Sequence, residues 1–213
     1  MPAIVVLMGP QGAGKGTQAQ RVSERLTLPI VATGDILREV ARGDTEIGRQ
    51  VKSIQAAGQL VSDDILAEVI HRRTSESDCT SGYILDGFPR TLPQARLLDS
   101  IARTQGHEIV VVSIKVPREL LYKRLTGRRT CTGCGAIYNI YSQPSVQENA
   151  CDLCGKPLVM RPDDNEDAIA KRLALYDEKT QPIMNYYRES GRLHVVDGTG
   201  TPKAVFSRVI SVL

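Results

Sequence analysis

Met8-Gly-Pro-Gln-Gly-Ala-Gly-Lys-Gly-Thr17 follows directly on the apolar run Ala3-Ile4-Val5-Val6-Leu7. An unbroken apolar run reads as a parallel strand buried on both faces, and Thr17 to Leu26 carries a helical pattern. A glycine-rich loop between a buried strand and a helix is a cradle for nucleotide phosphates. Gly9, Gly12, Gly14 and Gly16 let the backbone turn so that successive amide hydrogens converge on a polyphosphate at the helix N-terminus. Lys15 supplies a point charge where the β- and γ-phosphates would lie. In the common form of this loop Ser or Thr follows the lysine. Here Gly16 holds that place and Thr17 comes one residue later, which withholds a hydroxyl from direct Mg²⁺ ligation at that position. A glycine turn without a ligand is the competing reading, and strand, loop, lysine and helix in one register argue against it.

The 213 residues are 41% hydrophobic, enough for one substantial core with an insertion or a small second domain. With no Trp and two Phe, that core must be aliphatic. No apolar stretch approaches a membrane span and the N-terminus shows no signal-peptide pattern, so a cytosolic (cytoplasmic) protein without a membrane partner is expected. The formal charge is +3; four thiolates around one Zn²⁺ would lower it to about +1. Bulk charge is therefore no argument for nucleic acid. Short apolar runs alternate with longer amphipathic stretches, the signature of an α/β fold. The pattern predicts strands near 3–8, 29–32, 82–86, 109–115 and 193–197. It predicts helices across 14–26, 34–57, 62–76, 91–104, 117–126, 164–189 and 202–213, with Pro182 bending or interrupting the long one.

Residues 127–164 stand apart as an inserted module. Cys131-Thr-Gly-Cys134 and Cys151-Asp-Leu-Cys154 are two Cys-x₂-Cys knuckles separated by sixteen residues, a spacing that lets two tight turns offer four sulfurs to one tetrahedral, structural Zn²⁺. A pair of disulfides is the competing reading, disfavoured in a reducing compartment and by the closeness of the cysteines within each pair. A zinc ribbon can also bind nucleic acid, yet this module has few basic residues and no run of aromatic stacking positions. Cys79 reads as a buried free thiol.

Tyr83-Ile-Leu-Asp86 is a strand ending in an acid, followed by Gly87-Phe88-Pro89-Arg90. Asp86 is placed to act on the hydration shell of Mg²⁺ opposite Lys15, and Arg90 would project at the carboxyl edge of the sheet, where ligands of open α/β sheets bind. Arg38, Arg124, Arg128, Arg161 and Arg172 add five cations in separate segments. For Arg129 and Arg192, pairing with nearby carboxylates at the surface is the simpler reading.

Taken together, GxxGxGKGT at 9–17, Ala32-Thr-Gly-Asp-Ile-Leu-Arg38, Gly58-Gln-Leu-Val-Ser-Asp63, Leu85-Asp-Gly-Phe-Pro-Arg-Thr91 with Gln94, Gly127-Arg-Arg129, and Asp163-Asp164 leading to Arg172 span essentially the whole chain. In these motifs the sequence resembles the adenylate kinases of the bacterial long-lid, zinc-binding type. The resemblance implies a P-loop core with a five-stranded parallel sheet flanked by helices (1–32, 62–126 and 165–213), a small helical domain closing over AMP (33–61) and a zinc-binding lid closing over ATP (127–164). It implies a monomer whose partners are ATP, AMP and ADP, serving adenine nucleotide homeostasis.

By the same resemblance Gly12, Ala13, Gly14, Lys15, Gly16 and Thr17 bind the ATP phosphates, and Arg128, Ile137, Tyr138 and the backbone near Gly200 complete the ATP site, with Arg124 flanking the adenine. Thr33, Arg38, Gln59, Leu60, Val61, Gly87, Phe88, Pro89, Arg90 and Gln94 fall on AMP-site positions, and Arg161 and Arg172 face the transferring phosphoryl. The phosphate of AMP is already an anionic nucleophile, so no general base is needed. Instead Lys15, Arg38, Arg90, Arg128, Arg161 and Arg172, with Mg²⁺, must hold two repelling anions in line. Gln11 stands where relatives often carry proline, Pro162 would stiffen the lid hinge, and Gly200 replaces a lysine of some relatives. Phosphate-binding residues carry no base identity, so a kinase for UMP or CMP is the alternative acceptor reading.

Overall fold

A computed structural model describes residues 3–56, 61–161 and 163–213. The predicted site residues Gln59 and Leu60, and Pro162 at the predicted hinge, lie outside the described residues. Strand β1 (Ala3–Met8) runs through the glycine loop into α1 (Lys15–Leu26), then β2 (Ile30–Ala32), α2 (Thr33–Val40), α3 (Glu46–Ala56) and α4 (Asp63–Thr74). β3 (Gly82–Asp86), α5 (Leu92–Gln105), β4 (Glu108–Lys115) and α6 (Arg118–Thr126) follow in alternation. Three short strands come next, β5 (Arg128–Cys131), β6 (Ile137–Asn139) and β7 (Leu158–Val159). The chain ends with α7 (Glu166–Leu175), α8 (Ile183–Glu189), β8 (Leu193–Asp197) and α9 (Pro202–Ile210).

β1 is buried from Ile4 onward, and the two-residue period of a strand divides its side chains between two layers. Ile4, Val6 and Met8 enter one apolar cluster, Val5 and Leu7 the other. Tyr83, Leu85, Ile109 and Val111 join the first, and Ile84, Val112 and Ile114 the second. Helices seal both faces: Ile70, Leu98 and Tyr187 from α4, α5 and α8 on one side, Val22, Leu125, Ile169 and Val205 from α1, α6, α7 and α9 on the other. Covering on both sides explains why these strands read as unbroken apolar runs. The sheet has the order β2-β3-β1-β4-β8 with every pairing parallel, as expected. Neighbours on the two sides of β1 are reached by connections leaving in opposite directions, so the glycine loop opens into the crevice at the switch point.

Two predicted helices are broken, the second of them at Pro182, where an interruption is expected. The continuous helix expected over 34–57 divides into α2 and α3, because Arg42-Gly43-Asp44-Thr45 supplies a stop and a new start. Gly43 N–H closes on Val40 O at 3.1 Å, and the Thr45 hydroxyl accepts from Gly48 N–H at 3.0 Å, capping the next helix. The helix expected over 164–189 ends at Leu175, passes through a π-helical turn at Tyr176–Thr180 and resumes after Pro182, where proline at a helix start loses no hydrogen bond. Asn165 begins α7, its side chain accepting from Ala168 N–H at 2.9 Å.

Within the inserted module β6, β5 and β7 form an antiparallel sheet over a small core whose described members are Cys131, Tyr138, Cys151 and Leu158. α2, α3 and α4 share a second small cluster of Leu37, Val51, Val61 and Leu66. Among the described residues no helix is long and apolar enough to cross a membrane.

Candidate functional site

Gly14 sits at the N-cap of α1 with φ 95°, a left-handed conformation that favours glycine, and no side chain caps the first turn. The amides there are left for a ligand. Gly9 is equally constrained: its φ is 141°, and a Cβ would lie 2.7 Å from Ile114 O. Lys15 Nζ reaches back across the loop to donate to Gly9 O at 2.8 Å and Pro10 O at 3.0 Å. Burial, partly offset by the charge of Asp86, pushes the Lys15 ammonium down to about 8, with Arg90, Arg172 and Arg128 adding to the depression. Asp86 is raised above the ordinary carboxylate range by burial, against the pull of Lys15 and Arg90. Its Oδ2 lies 3.4 Å from where a Cβ on Gly16 would stand, so this hard oxygen donor faces the loop, as a hydrated Mg²⁺ would require.

The structure brings the six predicted cations together, as their mutual fields show. Arg90 is lowered by burial and then by Arg172 and Arg38; Arg172 by burial and by Arg128; Arg161 to about 10 by burial, Arg128 and Arg38. Each is aimed by a neighbour. Arg90 Nε donates to Gly87 O at 2.7 Å, Arg161 Nε to Thr130 Oγ1 at 3.0 Å, and Arg38 pairs with Asp35 at the protein surface. Arg128 forms a two-pronged pair with Asp164, through Nε to Oδ2 at 2.7 Å and Nη2 to Oδ1. Arg172 Nη1 reaches Asp163 O and Oδ2, both at 2.9 Å, and Asp164 Oδ1 at 3.4 Å. Asp164 is 1% exposed and neutralises part of two cations at once. Asp164→Asn should therefore cost about 2 kcal/mol of stability, since it leaves charged donors facing a neutral amide. Denaturant unfolding checks this, and an unchanged midpoint would reduce Asp164 to a bystander.

On the opposite side Thr33, 2% exposed, donates from Oγ1 to Asp86 O at 3.2 Å. Gly87 must be glycine, because a Cβ there would meet Thr33 Oγ1 at 2.7 Å and Arg90 Nη2 at 3.1 Å. Gln94 accepts from Arg90 N–H at 2.7 Å and donates to Asp63 at 2.6 Å. Phe88 is in the core beside the cis Phe88-Pro89 bond, and Val61 packs under α2.

Two predicted ATP-site residues have other partners in this structure. Arg124 donates to Gly12 O at 3.3 Å, Ala13 O at 3.4 Å and Gly198 O at 3.0 Å, bracing the phosphate loop against the turn after β8 that also holds Gly200. Tyr138 is buried, with its hydroxyl 3.5 Å from Cys151 Sγ and accepting from Asp152 N–H at 2.9 Å, while Ile137 beside it is exposed. Arg192 pairs with Asp99 at 2.7 Å, the structural part expected of it. Arg129 donates instead to backbone carbonyls of Thr126 and Arg128. Sequence reading assigned no role to Asp63 or Asp164, although both sit in quoted motifs.

Cys131, Cys134, Cys151 and Cys154 bring their four sulfurs within 4.8 Å of one another, with Cys131 to Cys154 at 3.4 Å and Cys134 to Cys151 at 3.5 Å. All four are free thiols. Tetrahedral zinc with Zn–S of about 2.3 Å needs sulfurs roughly 3.8 Å apart, so this donor set fits the metal.

A parallel sheet with a glycine loop at its switch point and a crevice of converging cations defines a P-loop nucleotide kinase. Residues 7–192 match the family model for adenylate kinase. The chain is 40% identical over 210 residues to an adenylate kinase of Lachnospira eligens, covering 98% of this chain and 99% of that one. Over 210 residues it is 44% identical to one of Clostridium acetobutylicum, with 98% of each covered, and over 202 residues 45% identical to one of Moorella thermoacetica, covering 94% and 93%. The chain belongs to the adenylate kinase family.

Proposed function

We propose that the chain transfers the γ-phosphoryl of ATP reversibly to AMP, giving two ADP. The observation that carries this is the cluster of Lys15, Arg38, Arg90, Arg128, Arg161 and Arg172, gathered from six separate segments, in which burial and the neighbouring cations hold Lys15, Arg90, Arg161 and Arg172 below their ordinary values. Gathering like charges in a partly buried crevice is unfavourable unless anions occupy it. Two phosphate chains end to end supply them. An oxygen of the AMP phosphate attacks the γ-phosphorus while the bond to the β-phosphate oxygen breaks and ADP leaves; no proton has to be abstracted. Lys15 and the α1 amides take the β- and γ-oxygens, Arg38 and Arg90 the acceptor phosphate, and Arg128, Arg161 and Arg172 the moving group. Asp86 would hold Mg²⁺ through its hydration shell, and that ion would neutralise charge on the ATP phosphates.

Water is the rival nucleophile. Residues 127–164 would act as a lid whose closure excludes solvent and delivers Arg128 and Arg161, with 33–61 closing over AMP and the remainder as the fixed core. The four cysteines would hold one structural Zn²⁺. Nothing in the site favours the nucleic-acid alternative. The test is ADP formation from Mg·ATP with AMP, CMP, UMP or GMP, alongside an ATP-only control. Fast turnover is expected with AMP alone, and turnover with a pyrimidine would keep the mechanism but overturn the acceptor.

A further inference from the structure

Gln94 is 1% exposed, and its carboxamide is gripped at both ends by groups of fixed polarity. Arg90 N–H can only donate, and it meets Oε1 at 2.7 Å. Asp63, as a carboxylate, can only accept, and it takes Nε2–H at 2.6 Å. The two ends agree on which way round the amide stands. Asp63 is itself held by the Thr91 hydroxyl at 3.3 Å, from the N-cap of the helix that carries Gln94. Oriented so, Gln94 has one N–H left to offer. Thr33 shows the complementary restriction: its hydroxyl hydrogen points to Asp86 O, which leaves oxygen lone pairs facing any other partner.

We propose that Asp63 is a specificity-determining positioning residue, fixing the Gln94 amide so that the base pocket offers a donor from Gln94 and an acceptor from Thr33. The inference rests on the reading of AMP as acceptor. Adenine presents the matching pair, an N1 acceptor beside an N6 amine donor. Hypoxanthine presents the reverse, an N1–H donor beside an O6 acceptor, and would be met by donor against donor and acceptor against acceptor. A flipped amide would satisfy the N1–H of hypoxanthine and so relieve one of the two mismatches; the Asp63 carboxylate, together with Arg90 N–H, opposes the flip. Unpaired polar groups in a buried site are what make such discrimination large.

Asp63→Asn is nearly isosteric, and its amide can accept from Gln94 or donate to it, so it removes one of the two groups that enforce the polarity, leaving Arg90 N–H as the other, while keeping the shape. The measurement is the ratio of kcat/KM for AMP to that for IMP, in wild type and variant, with melting temperature as a check on folding. The variant is expected to lower that ratio about tenfold, the effect of one hydrogen bond to a charged group. The change should appear in KM for the acceptor, with KM for ATP as internal reference. Asp63→Ser, whose hydroxyl also works in both directions and suits a first helical turn, replaces the asparagine variant should that fail to fold. A ratio unchanged in a folded variant, or equal losses with AMP and IMP, overturns the positioning role. Wild type that ignores AMP overturns the acceptor reading, and this proposal with it, before any variant is made.

Discussion

Lys15→Ala is expected to lower kcat/KM for Mg·ATP by about 10²–10³-fold, the usual loss when one preorganised donor to a reacting oxyanion is removed. Among the described residues the Lys15 ammonium donates to the carbonyls of Gly9 and Pro10 and is drawn also by the charge of Asp86. Those carbonyls are neutral, so an arriving phosphate competes for the ammonium on favourable terms. The same environment gives the prediction a pH signature. Burial brings the ammonium to about 8 in the free protein, and only its protonated form attracts phosphate. As pH rises through about 8, kcat/KM for ATP should fall, because that parameter reports the free enzyme. In the bound complex the phosphate charges favour the protonated form, so kcat should hold to higher pH. Folding shows the opposite slope. The native group releases its proton earlier than the unfolded one, whose value is 10.5, so between those limits its contribution to stability improves as pH rises. Lys15→Arg does not titrate in this range and should abolish the alkaline fall in kcat/KM whatever its absolute rate. Undiminished turnover in a folded Lys15→Ala would remove the lysine from the mechanism.

How much of this was legible beforehand depended on how local the cause was. β1, the glycine loop and α1 are adjacent in sequence and determined by it: burial on both faces demands an apolar run, and the loop demands glycines where φ is positive. Alternation indicated the α/β class and the unbroken apolar run a buried parallel strand, while the five-stranded parallel sheet came with the family resemblance. Helix breaks were harder. Arg42-Gly43-Asp44-Thr45 contains a recognisable stop and cap, but amphipathic residues on either side masked it. The π-helical turn at Tyr176–Thr180 has no such local mark. The strands of the proposed lid are two to four residues long, too short for a period to show. Cation positions were legible from motifs, whereas what aims them was not. Asp164 meets Arg128 across 36 residues, and Asp63 meets Gln94 across 31. Hydrogen-bond polarity between distant segments exists only once the chain has folded, and so does the Tyr138 hydroxyl's turn toward Cys151.

Removal of the zinc proposed for residues 127–164 is expected to lower the first melting transition by about 10 °C or more, given that a structural zinc contributes several kcal/mol and each kcal/mol moves a chain of this size by roughly 2–4 °C. The reason lies in the lid's own core. Two of the four described members of its apolar cluster, Cys131 and Cys151, are themselves proposed ligands. Without a metal, Tyr138 and Leu158 with two small thiols are the described apolar core left to offset the conformational entropy of a 38-residue module. Three strands of two to four residues cannot supply the difference. The core sheet has no such dependence, since both of its faces are closed by long helices. The loss should thus begin in the lid and leave the parallel sheet folded, giving two transitions in calorimetry where the loaded protein gives one. Phosphoryl transfer should fall along with the lid, because Arg128 and Arg161 stand on its two ends and a disordered lid no longer presents them together. Cys151→Ser should reproduce both effects without a chelator. Unchanged melting after zinc removal verified by elemental analysis would show that the four cysteines do not hold the lid together through a metal, and that its order comes from the contact between β6 and α6, where Asn139 Nδ2 donates to Arg124 O at 2.9 Å.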